Sequence, residues 1–98
     1  MPSYYHVMII PKDGVDPKRI EKKFDLARDW FRFNSTSWVI YTSQDAETWY
    51  SRLKKYVEPG GKLFICKLDI SDRQGWLPRT FWDWLRQRQG SQAEAERQ

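Results

Sequence analysis

The run Val7-Met8-Ile9-Ile10 constrains this chain most, because it makes a strand that is apolar on both sides. Tyr4 to Ile10 reads as extended, with two tyrosines, a valine and two isoleucines, and Pro11 stops it. Side chains alternate across a strand, so Val7 and Ile9 go to one face and Met8 and Ile10 to the other. A strand of this kind is central in its sheet and covered on both faces. The rest of the chain has to supply that sheet and both covers.

Punctuation and periodicity place the other elements. Lys12-Asp13-Gly14-Val15 reads as a turn, Asp16 offers an N-cap oxygen and Pro17 suits the first helical position. Ile20, Phe24 and Ala27 then predict a helix from about Pro17 to Arg28. Trp30-Phe31-Arg32-Phe33, the polar Asn34-Ser35-Thr36, and Ser37 to Tyr41 predict a hairpin. Thr42 or Ser43 caps a second helix, with Asp45 three residues after Thr42 in near-capping-box spacing. That helix carries Ala46, Trp49, Tyr50, Leu53, Tyr56 and Val57, and Glu58-Pro59-Gly60-Gly61 ends it. Lys62 to Ile70 predicts the fourth strand, with Phe64, Cys66, Leu68 and Ile70 on one face and Leu63 and Ile65 on the other. After the Ser71–Gly75 loop, Pro78 starts a third helix with the stripe Leu77, Phe81, Trp84 and Leu85.

The expected class is α+β, a ferredoxin-like βαββαβ antiparallel sheet with an additional C-terminal helix. One domain spans 1–88, and 89–98, with no apolar side chain larger than alanine, reads as a disordered tail. Two helices cover one sheet face only. The Trp-rich third helix, a partner subunit or both must cover the other, and this is the basis for expecting a homodimer.

Bulk properties exclude several classes. Ninety-eight residues allow one domain. The single cysteine forbids an internal disulfide and a cysteine-based zinc site. The start, Met1-Pro2-Ser3, lacks a signal-peptide pattern, and no apolar run approaches the roughly 20 residues that span a bilayer, so the expected location is cytoplasmic with no membrane partner. No glycine-rich phosphate loop, zinc cluster or nucleophile elbow occurs, so no cofactor is expected. Net charge is +4, from 17 Lys and Arg against 13 Asp and Glu, which suits DNA, RNA or another polyanion as well as plain solubility.

Several stretches carry a family resemblance. Ser35-Thr36-Ser37-Trp38-Val39-Ile40, the helix ending before Gly60-Gly61, the strand Lys62 to Leu68, and Gly75-Trp76-Leu77-Pro78 with Trp82-Asp83-Trp84-Leu85 resemble the small bacterial SinR-like proteins. That group is similar in fold to the CRISPR-associated "Cas two" endoribonuclease-like family and the VapD-type toxins. The resemblance covers about the first 87 residues and rests on structural motifs. It implies that nuclease relatives hold a divalent metal through an aspartate at the end of the first strand, paired across two subunits. Here that place reads Met8-Ile9-Ile10-Pro11, without a carboxylate, and isoleucines cannot ligate a metal ion.

The candidate site residues follow. Asp13 or Asp16 could replace the missing carboxylate, with magnesium or manganese as the ion, although Asp13 suits a turn and Asp16 a helix cap. His6 titrates near neutrality and could act as a base, or be a packed strand residue. Lys12, Lys18, Arg19, Lys22 and Lys23, with Arg28, could track a phosphate backbone, or form a solvated face paired with Glu21 and Asp25; Arg52, Lys54 and Lys55 on the second helix read the same way. Trp76 and Trp82, off the third-helix stripe and near Arg79 and Arg86, suit a protein interface or stacking on bases. Cys66 alternates with Phe64 and Leu68 and reads as a small buried hydrophobe. Three functions stay open: a non-catalytic homodimeric binding module with a nucleic-acid or protein partner, a metal-dependent nuclease or toxin, and a protein-interaction subunit with no nucleic-acid role.

Overall fold

The central strand β1 (Ser3–Ile10) pairs antiparallel on one side with β3 (Ser37–Thr42) and on the other with β4 (Lys62–Leu68). A further strand, β2 (Asp29–Asn34), pairs antiparallel with β3, giving a four-stranded sheet in the order β2-β3-β1-β4. The computed structural model describes residues 1–87. Helix α1 (Pro17–Phe24) joins β1 to β2, and α2 (Ala46–Leu53), followed by a 3-10 turn at Lys54–Tyr56, joins β3 to β4. A third helix, α3, covers residues 79–87. No helix among the described residues is long and apolar enough to cross a membrane. The expected tail at 89–98 lies outside the described residues.

The two faces of β1 make two cores. Tyr5, Val7 and Ile9 join Trp38 and Ile40 of β3 beneath Ile20 and Phe24 of α1 and Trp49 and Leu53 of α2. Phe24 lies at the centre of that layer, its ring centroid 5.2 Å from Trp38 and 5.9 Å from Trp49, in tilted aromatic contacts. On the opposite face Tyr4 and Val39 pack against Phe81 and Leu85 of α3, with Phe31, Tyr41 and Trp84 around them. Indole nitrogens tie both layers down: Trp49 Nε1 donates to Thr42 Oγ1 at 3.2 Å, and Trp84 Nε1 donates to Asp29 Oδ2 at 2.9 Å.

Several boundaries and burials differ from the sequence expectation, α2 itself ending at Leu53 and giving way to the 3-10 turn that holds Tyr56. Helix α1 ends at Phe24 rather than near Arg28, because the Arg28 N–H already bonds Tyr41 O at 2.8 Å and the chain must be extended to enter β2. The cap of α2 is Asp45, whose carboxylate accepts from Thr48 N, whereas Thr42 is held by the sheet opposite Ser3. Strand β4 stops at Leu68, and Ile70 packs into the second core from a turn. Cys66 is exposed rather than buried, because it stands on the edge strand beyond the reach of α3.

Gly61 is fitted to the helix-to-strand corner. A Cβ there would sit 2.4 Å from the Ile10 carbonyl oxygen and 2.9 Å from the Val57 backbone. Gly61→Ala is therefore expected to lower the urea midpoint, since the clashing atoms are all backbone. Phe24→Ala, which empties a fully buried ring site, should cost about 3–5 kcal/mol in the same titration. An unchanged midpoint in Phe24→Ala would contradict its place at the centre of the first core.

Candidate nucleic-acid interface

Ile20 and Phe24 turn one side of α1 into the core, which leaves Arg19, Lys22 and Lys23 on its outer flank. The loop after β1 comes alongside, fixed by the Lys12 N–H donating to Tyr56 O at 2.8 Å. Tyr56 itself is buried, with Lys55 Nζ 5.2 Å above its ring centroid. Around this tyrosine lie two shallow depressions that share Arg19 and Tyr56. One, of about 340 Å³, is lined by Arg19, Lys22, Lys23, Leu26 and Tyr56. The other, of about 280 Å³, is lined by Lys12, Val15, Arg19, Lys55 and Tyr56.

Four of the five bases expected to track a backbone therefore meet in one rim. Lys18 lines neither depression; its backbone N–H donates to the capping Asp16 Oδ1 at 3.0 Å. Lys55 joins from the 3-10 turn, brought in by the contact between Lys12 and Tyr56.

The acids of α1 point elsewhere. Glu21 Oε1 accepts from Arg32 Nη1 at 2.9 Å, and Asp25 Oδ1 accepts from Trp30 Nε1 at 2.9 Å. Among the described residues no carboxylate lies within ion-pair distance of Lys12, Arg19, Lys22, Lys23 or Lys55. The rim is thus a concentration of positive charge without internal neutralisation, the arrangement that attracts phosphate.

None of the remaining candidates lines the two depressions. Asp13 is exposed in the turn before α1, next to Gly14, whose φ of 86° a side chain would strain. Asp16 serves as the α1 cap. His6 is half-buried on the opposite sheet face, its ring 5.8 Å from that of Phe33, so it does not share a surface with Asp16. Among the described residues no group of three or more His, Cys, Asp or Glu could hold a metal ion. Trp76 is fully exposed, while Trp82 packs its ring 5.3 Å from Phe81. Arg79 and Arg86 both reach Asp83, Arg79 at 3.9 Å, in exposed pairs worth little to stability.

Comparison with protein-family models, with curated proteins and with solved structures found no match for this chain.

Burial holds the His6 imidazole below its ordinary pKa. The unfolded chain then binds a proton that the folded chain resists, so stability is complete above pH about 6.5 and falls as pH drops below it. Chemical denaturation at pH 7 and pH 5.5 should show this loss in the parent and a smaller one in His6→Gln. Equal losses in the two proteins would remove His6 as the cause.

Proposed function

We propose that the protein is a non-catalytic homodimeric binding module that follows a nucleic-acid backbone with Lys12, Arg19, Lys22, Lys23 and Lys55. The observation that carries this reading is a set of five cations, around two joined depressions, with no carboxylate partner among the described residues. Phosphate oxygens supply the counter-charge, and counterions released from the backbone drive association. Shallow depressions lined by flexible lysines suit a repeating charged backbone better than one small ligand, which a deeper and more apolar cleft would enclose.

The same reading takes the layout as ferredoxin-like, within the SinR-like resemblance. Support comes from β3 lying between β1 and β2, from β4 on the other side of β1, and from α1 and α2 sharing one face. The homodimer is supported by Trp76, a fully exposed ring of the kind that anchors interfaces. That ring also favours a second reading, a protein-interaction subunit with no nucleic-acid role. The nuclease alternative keeps Asp13, because Lys12 and Val15 on either side of it both line the rim.

Titration into labelled single-stranded RNA and DNA over a salt series tests the binding module. Affinity should fall steeply with salt, and Arg19→Ala should lower the slope of log K against log salt by about 0.7. Absence of binding at low salt would leave the protein-interaction reading. Cleavage that needs manganese and disappears in Asp13→Ala would replace the non-catalytic reading with the nuclease one. Sedimentation of the parent should give a dimer that Trp76→Ala weakens; a monomeric parent would discard the dimer.

A further inference from the structure

Helix α3 covers the second sheet face around Tyr4, Val39 and Leu68. At the other end of that face no element among the described residues covers β1 and β4, with Phe64 54% and Ile10 42% exposed. Three soft donors stand there. His6 and Cys66 are direct cross-strand partners, and Met8, opposite Phe64, is the next residue of β1 on the same face. We propose that His6, Met8 and Cys66 form a binding site for a soft monovalent metal ion of the copper(I) kind.

The chain has one histidine, one cysteine and two methionines, so three of its four soft-donor residues meet on one surface. Directly opposed residues of an antiparallel pair have Cβ atoms about 4.5–5.5 Å apart, and alternate residues of a strand lie about 7 Å apart. Metal–nitrogen and metal–sulfur bonds of about 2.0–2.3 Å, added to these side-chain lengths, span such a triangle. Cys66 Sγ now makes only a weak contact with the Lys67 carbonyl oxygen at 3.5 Å, which a rotation about χ1 gives up. The His6 ring now rests 5.8 Å from that of Phe33 on β2, so it too must turn about χ1, toward β4, to reach the ion.

Donor chemistry selects the ion. Thiolate and thioether sulfur favour copper(I), whereas zinc takes four ligands of the nitrogen, sulfur and carboxylate type. On binding, the Cys66 thiol proton leaves to solvent, and the single negative charge of the thiolate balances the single positive charge of the ion. A neutral site suits a surface framed by Phe33 and Phe64. No change of oxidation state is involved.

The test is anaerobic titration of the full chain against the coloured bis-bicinchoninate complex of copper(I), with folding of each variant checked by near-ultraviolet circular dichroism. The parent should withdraw one copper per chain, and Cys66→Ser should withdraw none. Loss of a direct donor should cost at least the tenfold typical of lost supporting contacts, so Met8→Leu and His6→Gln should each weaken binding tenfold or more. A parent that withdraws no copper overturns the site. So does either Met8→Leu or His6→Gln holding copper as tightly as the parent, which would mean that the residue replaced is not a ligand. Because Met8→Leu keeps the volume and apolar character of the position, its result stands even if His6→Gln unfolds.

Discussion

The burial of β1 on both faces is the constraint on which the rest of the molecule depends. Val7 and Ile9 are completely buried under α1 and α2, while Tyr4 of the same strand is buried against α3. A slip of one residue would exchange the two sets, turning His6 and Met8 into the aliphatic core and Val7 and Ile9 out of it. Pairing on both sides prevents this, since Tyr5 is held opposite Ile40 and Lys67 at once. The other elements are placed by what they must cover on one side of this strand or the other.

The two covers are unequal, and the candidate sites follow from that inequality. The first layer has two helices and closes around Phe24, Trp38 and Trp49, so only its outer flank remains for function, and the basic rim lies there. The second layer has one helix and a cluster of rings, with Phe31, Phe81 and Trp84 in mutual contact. Its rings bury the Tyr4 end of the sheet and stop short of Met8 and Phe64. Both surfaces are consequences of how far each cover reaches.

Much of this was legible in the residues themselves. The Val7-to-Ile10 run gave a central strand, Asp16-Pro17 gave the start of α1, and the aromatic runs around Asn34-Ser35-Thr36 gave the β2–β3 hairpin. Local signals failed where a distant partner decided the outcome. Thr42 has the chemistry of a helix cap, yet its hydroxyl accepts from Gln44 N and from the buried Trp49 indole, and the cap passes to Asp45. Cys66 alternates with apolar neighbours like a core residue, but its exposure is set by which part of the sheet α3 packs on. Of the rim, the α1 cations were readable as a helix face. Lys12 could be grouped with them from its place just before the helix, but the arrival of Lys55 could not, because it depends on one backbone hydrogen bond between residues 44 positions apart, Lys12 and Tyr56 (56 − 12 = 44).

The bareness of the rim has a physical origin in how α1 is fastened to the sheet. Glu21 and Asp25 stand where they could pair with Lys18, Lys22 or Arg28 on the helix surface, each such pair contributing about 0.2–0.5 kcal/mol. Both acids instead reach β2, Glu21 to Arg32 and Asp25 to the Trp30 indole. The Arg32 guanidinium that Glu21 holds also lies 4.8 Å over the Trp38 ring, a cation–π contact of about 0.5–1 kcal/mol at an exposed site and more as water is excluded. With both side chains about a quarter to a third exposed, at 26% and 32%, the Glu21–Arg32 pair is also less screened than a surface pair. Two inter-element contacts therefore outweigh the intrahelical pairs they displace. Fastening α1 to β2 draws both acids to one side of the helix and leaves its cations unneutralised on the other.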